Sequence, residues 1–116
     1  MLASWQGHPT LSDFRDGTSN TILVAEKYAK CGNGGDLWGR ATGDSWQPVI
    51  AVWSWAIFQV QPKSGQCNPY LASTPFPAIN VAMADGAVIS VGRRIKAATW
   101  KAALTPSGGE VLGKDW

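Results

Sequence analysis

The sequence predicts a small α+β domain dominated by β-structure, with a small antiparallel sheet, a C-terminal hairpin and one or two short helices. Three observations carry this. Apolar residues alternate on either side of Ala84-Asp85-Gly86, and Asp-Gly between alternating runs is the strongest short-range hairpin signal. The 13 glycines and 7 prolines favour turns over long helices. Helical spacing is confined to a short C-terminal stretch. Hydrophobic residues make up 45% and charged residues 16%, which argues for a packed core rather than disorder. The length of 116 residues fits one domain, and no internal repeat or boundary divides it.

Leu11 to Gly17 reads as a short helical turn ended by glycine. Thr18-Ser19-Asn20 is polar turn chemistry, and Thr21 to Tyr28 reads as a strand rich in β-branched residues. Cys31 to Gly43 is a glycine-rich loop. Its Gly32-Asn33-Gly34-Gly35 lacks the spacing of a phosphate-binding loop and opens no helix. Pro48 to Gln61 is the most apolar stretch. In an extended conformation Val49, Ala51, Trp53, Trp55 and Ile57 share one face and Ile50, Val52, Ala56 and Phe58 the other, with Ser54 the one polar residue among them, which implies burial on both sides or burial on one and a partner on the other. Pro62 to Pro77 reads as a long loop pinned through Cys67. Ile79 to Met83 and Ala87 to Val91 form the hairpin, with a type I′ turn expected between them. Ile95 to Leu104 places Ala97, Trp100 and Leu104 at helical spacing, and Thr105-Pro106 ends that helix. The terminal Trp116 is expected to dock back on the core.

Cys31 and Cys67 are the two cysteines. They are expected to form a disulfide, the alternative being two buried thiols; a disulfide belongs to an oxidising compartment. No run reaches the length of a membrane span. The formal net charge is +2 with scattered basic residues, which excludes a nucleic-acid footprint; Arg93-Arg94 reads as a solvated strand end.

Catalytic and metal chemistry find little support. His8 is the sole histidine; with Asp13 and Asp16 it could in principle hold a metal, but the spacing matches no known ligand set. A Ser/His/Asp arrangement lacks the nucleophile elbow. Asp16, Glu26 and Asp85 could pair as acid and base, yet Asp85 suits its turn. Glu26 is expected either to face solvent or to accept hydrogen bonds from the Asp16–Thr21 turn. Neither a metal nor another cofactor is therefore expected. Seven tryptophans serve either as core and interface filling or as an aromatic platform for a sugar, and Trp53 and Trp55 are the candidates for a buried face or contact surface.

Three segments carry a family resemblance: Asp16-Gly17-Thr18-Ser19-Asn20-Thr21-Ile22-Leu23-Val24-Ala25-Glu26, then Asn80-Val81-Ala82-Met83-Ala84-Asp85-Gly86-Ala87-Val88, then Trp100 to Pro106 running into Gly108-Gly109-Glu110-Val111. Together they resemble the planctomycete family known as domain of unknown function 1559, with its C-terminal H-x9-DG signature. Asp85 and Gly86 match that signature, and Asp16, Gly17, Asn20 and Glu26 belong to the first of the family-like segments. The resemblance runs from about Leu11 to the C-terminus. It implies a pseudopilin-like globular domain, an extracytoplasmic location, and like subunits or envelope proteins as partners. Two departures stand out. The family's hydrophobic prepilin helix has no counterpart here, so the chain resembles the C-terminal globular part alone. Pro75 also stands where the family has its histidine. The expected function is a non-enzymatic structural or assembly module of the cell envelope or secretion apparatus. The alternatives are a carbohydrate-binding module and a small carboxylate- or metal-dependent hydrolase.

Overall fold

The computed structural model describes residues 10–37, 46, 48–50, 53 and 55–116. Among these residues five strands and one helix follow in order: β1 (Ile22–Ala25), β2 (Gln59–Val60), β3 (Ser73–Thr74), β4 (Ala78–Met83), β5 (Val88–Gly92) and α1 (Ala97–Leu104). Short 3-10 turns cover Leu11–Asp13 and Ser64–Gln66. An antiparallel sheet runs β1-β4-β5, and β2 pairs with β3 in parallel. The expected α+β, sheet-dominated class is what the chain adopts.

The central strand β4 obeys the two-residue period. Ile79, Val81 and Met83 are buried, while Ala78, Asn80 and Ala82 face outward. The buried set meets Ile22, Phe58, Ala72, Val91, Ile95, Trp100, Ala103 and Leu104 in one core. Strand β1 is shorter than Thr21–Tyr28, and within it the register slips between Ile22 and Val24. Leu23 is the extra residue, and this bulge leaves both Leu23 and Val24 exposed.

The hairpin forms where expected, but its turn differs. Three residues separate Met83 from Ala87. Gly86 N–H donates to Met83 O at 3.0 Å, and Met83 N–H donates to Ala87 O at 2.8 Å. Only Gly86 has positive φ, at 89°; Ala84 and Asp85 do not. A type I′ turn needs two such residues, whereas a three-residue loop closes with a type I turn followed by a left-handed glycine. Asp85 Oδ1 accepts the Ala87 N–H at 2.9 Å and fixes that loop.

Two further expectations are corrected. The stretch 48–61 is not one strand: Ala56 N–H donates to Trp53 O at 3.0 Å in a reverse turn, and pairing begins only at Gln59. Ala51, for which one face of that strand was expected, lies outside the described residues, as do His8 and Trp38. The loop 62–77 hides a strand, β3, whose register with β2 places Gln59 opposite Ser73 and Val60 opposite Thr74. Helix α1 starts two residues later than expected and stops at Thr105. The tail returns to it: Asp115 accepts the Lys96 N–H at 2.7 Å and the Thr99 hydroxyl at 2.8 Å, so an acidic group sits at the helix start, where the dipole favours it. Trp116 packs against the core, as expected.

Cys31 and Cys67 form a disulfide with a sequence separation of 36. Cys31 closes a tight turn in which Cys31 and Gly34 exchange backbone hydrogen bonds of 2.7 and 3.0 Å. A Cβ on Gly35 would overlap the Ala29 backbone, so these glycines serve close packing. Among the described residues no helix is long and apolar enough to cross a membrane.

Candidate functional site

The three segments that carry the resemblance meet in space. Gly17, at φ 95°, turns the chain, and Asn20 Nδ2 and Thr21 Oγ1 close the loop on the carbonyls of Asp16 and Gly17 at 2.9 and 3.0 Å. That loop is the seat of the hairpin tip: Thr18 O accepts the Asp85 N–H at 3.1 Å, and Thr21 O accepts the Ala84 N–H at 2.8 Å. Asp16 reaches the third segment. Its Oδ2 accepts the Gly108 N–H at 2.9 Å and its Oδ1 the Gly109 N–H at 3.0 Å, while its own N–H donates to Pro106 O at 3.2 Å.

Glu26 does neither of the things expected of it. Its carboxylate turns to β4, accepting the Asn80 N–H at 3.0 Å and Asn80 Nδ2 at 3.1 Å. Asn80 Oδ1 in turn accepts the Ser90 hydroxyl at 2.6 Å, which makes a polar row across all three strands. The Glu26 carbonyl also accepts the Ser73 N–H at 3.1 Å and ties β3 to the sheet. Burial pushes the Glu26 carboxyl upward, but the Asn80 N–H, the Thr74 hydroxyl and the Asn80 amide together hold it below its ordinary value. Asn80 opens the second of the family-like segments. An Asn on the outer face of an otherwise apolar strand was the available signal.

These bonds give the pH dependence a sign. The folded-state value of Glu26 lies below its unfolded one, so the native state binds fewer protons. Its contribution is complete above about pH 4.3 and is lost as the pH falls through the folded value. Hydrogen bonds to Thr10, and to Lys96 and Thr99, also lower Asp13 and Asp115 and add to the same slope. Glu26→Gln is expected to cost about 1–2 kcal/mol at neutral pH, modest for a charged bond because the site is half-exposed. Urea unfolding across the acid range should then show a shallower loss of stability than in the wild type. An unchanged acid slope would remove Glu26 from this role.

Asp16, Glu26 and Asp85 thus have their carboxylates committed to fold-closing hydrogen bonds in three different places. Among the described residues no group of three or more His, Cys, Asp and Glu is arranged to hold a metal. Pro75 is exposed at the end of β3, where its carbonyl accepts Gln61 Nε2 at 3.1 Å.

A different surface presents free side chains. Trp53 and Trp55 are 46% and 64% exposed, so the buried-face alternative does not hold. Their rings stack with centroids 5.2 Å apart and planes 25° apart. Tyr70, which the sequence reading did not include, joins at 6.2 Å from Trp53 with a 56° tilt. The chain turns inward directly after the pair, with Ala56 and Phe58 both buried. Strand β2 is bolted to the Tyr70 loop: Gln59 Nε2 donates to Asn68 O at 2.9 Å, and Asn68 N–H donates to Gln59 Oε1 at 2.8 Å. Asn68 Oδ1 then accepts the Tyr70 N–H at 3.0 Å. The outer ring faces are apolar and polarisable, suited to stacking against an aliphatic, aromatic or sugar C–H surface. No protein-family model, curated protein or solved structure matches this chain.

Proposed function

We infer that this chain is a non-enzymatic structural or assembly module of the cell envelope, pseudopilin-like in role, that docks on like subunits or an envelope protein through Trp53 and Trp55. The observation that carries the reading is that stacked, exposed pair, held on a framework cross-tied by Gln59 and Asn68. Large aromatic rings are costly to leave in water and are enriched at the buried centres of interfaces. The commitment of Asp16, Glu26 and Asp85 to holding the fold supports a structural over a hydrolytic role. The Cys31–Cys67 bond is compatible with an extracytoplasmic location. The signature-like segments support kinship with the H-x9-DG proteins through the way they close on one another.

The test is a double Trp53→Ala, Trp55→Ala variant assayed for capture of envelope partners and for assembly. Capture is expected to fall by about tenfold or more, as for loss of an interface centre, with thermal stability nearly unchanged. Retained capture would overturn the reading.

The high exposure of Trp55 also favours a second reading, a carbohydrate platform. Tryptophan fluorescence titrated with oligosaccharides distinguishes the two. A saturable shift abolished by Trp55→Ala supports the sugar, and no change at millimolar ligand removes it.

A further inference from the structure

We propose that β5 is a self-pairing edge, through which two copies of this chain join into one continuous antiparallel sheet. This rests on the assembly reading above and names its partner as a second copy. Among the described residues β5 is an outer strand of the sheet. The parity of its hydrogen bonds follows from the hairpin: Met83 bonds Ala87, so alternation makes Ile89 and Val91 the bonded partners of Val81 and Ile79. The pairs Ala82–Val88, Asn80–Ser90 and Ala78–Gly92 are the non-bonded ones. Asn80 confirms this independently, because its N–H and C=O both turn to Glu26 on the opposite side. The N–H and C=O groups of Val88, Ser90 and Gly92 therefore point away from β4, along the open edge. Among the described residues only the Gly92 carbonyl has a use there, accepting the Ile95 N–H at 3.2 Å, and a carbonyl oxygen retains a second lone pair.

The edge is complementary to itself. Val88–Gly92 is centred on Ser90, so a two-fold axis through Ser90 sets Ser90 against its counterpart and Val88 against Gly92 in the second copy. Val88 is 70% exposed, and a side chain on Gly92 would meet open space. A large apolar side chain thus lies over the position that has none. The same register carries Arg93 and Arg94 of one copy toward Ala87, Gly86 and Asp85 of the other, so the basic strand end faces the acidic hairpin tip. All three charged residues are exposed. Helix α1 contacts β1, the strand at the opposite edge of the sheet from β5. Exposed edges are ordinarily blunted by bulges or proline; β5 has neither. A symmetric interface built from one patch is the commonest way soluble chains dimerise.

Sedimentation equilibrium on the 116-residue chain tests this. The mass should rise from 12.4 kDa toward twice that value with increasing protein concentration, and a monomer persisting to about 1 mM would overturn the proposal. Ser90→Pro removes an outward N–H that β4 does not use, so the fold is expected to survive while dimerisation weakens at least about tenfold. Val88→Lys, at an exposed position, should do the same by placing a charge over Gly92. Either folded variant dimerising as the wild type does would overturn self-pairing. Dimerisation lost in the Trp53 and Trp55 double variant but kept in the β5 variants would also overturn it, by assigning self-association to the aromatic face. Failure of self-pairing alone leaves partner capture by the tryptophans intact, so the two readings fail separately.

Discussion

Trp100→Ala is expected to destabilise the chain by about 3–5 kcal/mol, the range for truncating a fully buried large aromatic. The Trp100 side chain is 1% exposed and meets Phe58 edge-on, with centroids 4.9 Å apart and planes 61° apart. Its position explains the size of the effect. Trp100 comes from α1, Phe58 from the segment entering β2, and both lie against the inward residues Ile79, Val81 and Met83 of the central strand. One side chain therefore joins the helix, the three-stranded sheet and the parallel pair. Removing it leaves a cavity that three elements would have to close together, and cores relax only partly. The net stability of a domain is about 5–15 kcal/mol, so the loss is a large fraction of the whole. Chemical denaturation with an unchanged slope and a much lower midpoint is the expected readout. Trp55→Ala is the control: its ring is mostly solvated, and the change should stay within about 0.5 kcal/mol. Equal effects at the two positions would contradict the division of the tryptophans into core and surface.

That division marks where the sequence was legible. Trp100 sits among alanines and leucine at helical spacing, so its burial follows from local pattern. Trp53 and Trp55 occur in an apolar run, broken only by Ser54 between them, in which neither period dominates. There the extended reading failed, because the Trp53–Ala56 turn satisfies its own backbone locally. Contacts made at a distance were harder still. The hairpin could be located from Asp85 and Gly86 because turn chemistry acts over a few residues. The Glu26–Asn80 clamp spans 54 positions and the Asp16–Gly109 bond spans 93, and no local rule predicts which carboxylate meets which amide. The parallel β2–β3 pair was missed for the same reason: each strand has two residues, too few to express a period. The three segments that carry the resemblance lie far apart in sequence and are joined by hydrogen bonds. Those bonds close the fold around the hairpin tip.

Reducing the Cys31–Cys67 bond is expected to lower stability by about 2–4 kcal/mol, or roughly 10 °C in melting temperature. The chain-entropy relation gives about 4 kcal/mol for a closed loop of this length, and the sequence separation is 36. The local setting argues that most of this is realised. Cys31 is buried, and the Cys31–Gly34 turn beside it has little apolar surface with which to hold itself in place. On the other side, Cys67 adjoins Asn68, whose bonds to Gln59 and Tyr70 position the aromatic surface. The effect should therefore have two parts. A Cys31→Ala, Cys67→Ala variant should melt earlier, and its near-UV circular dichroism from Trp53, Trp55 and Tyr70 should weaken before the fold is lost, because the Tyr70 loop is freed first. The core signal from Trp100 should persist until global unfolding. Partner capture should fall along with the aromatic signal, whereas self-association through β5, which shares no residue with this loop, should not. A reductant that leaves both the melting temperature and the aromatic spectrum unchanged would show that the parallel strands alone hold the surface in place.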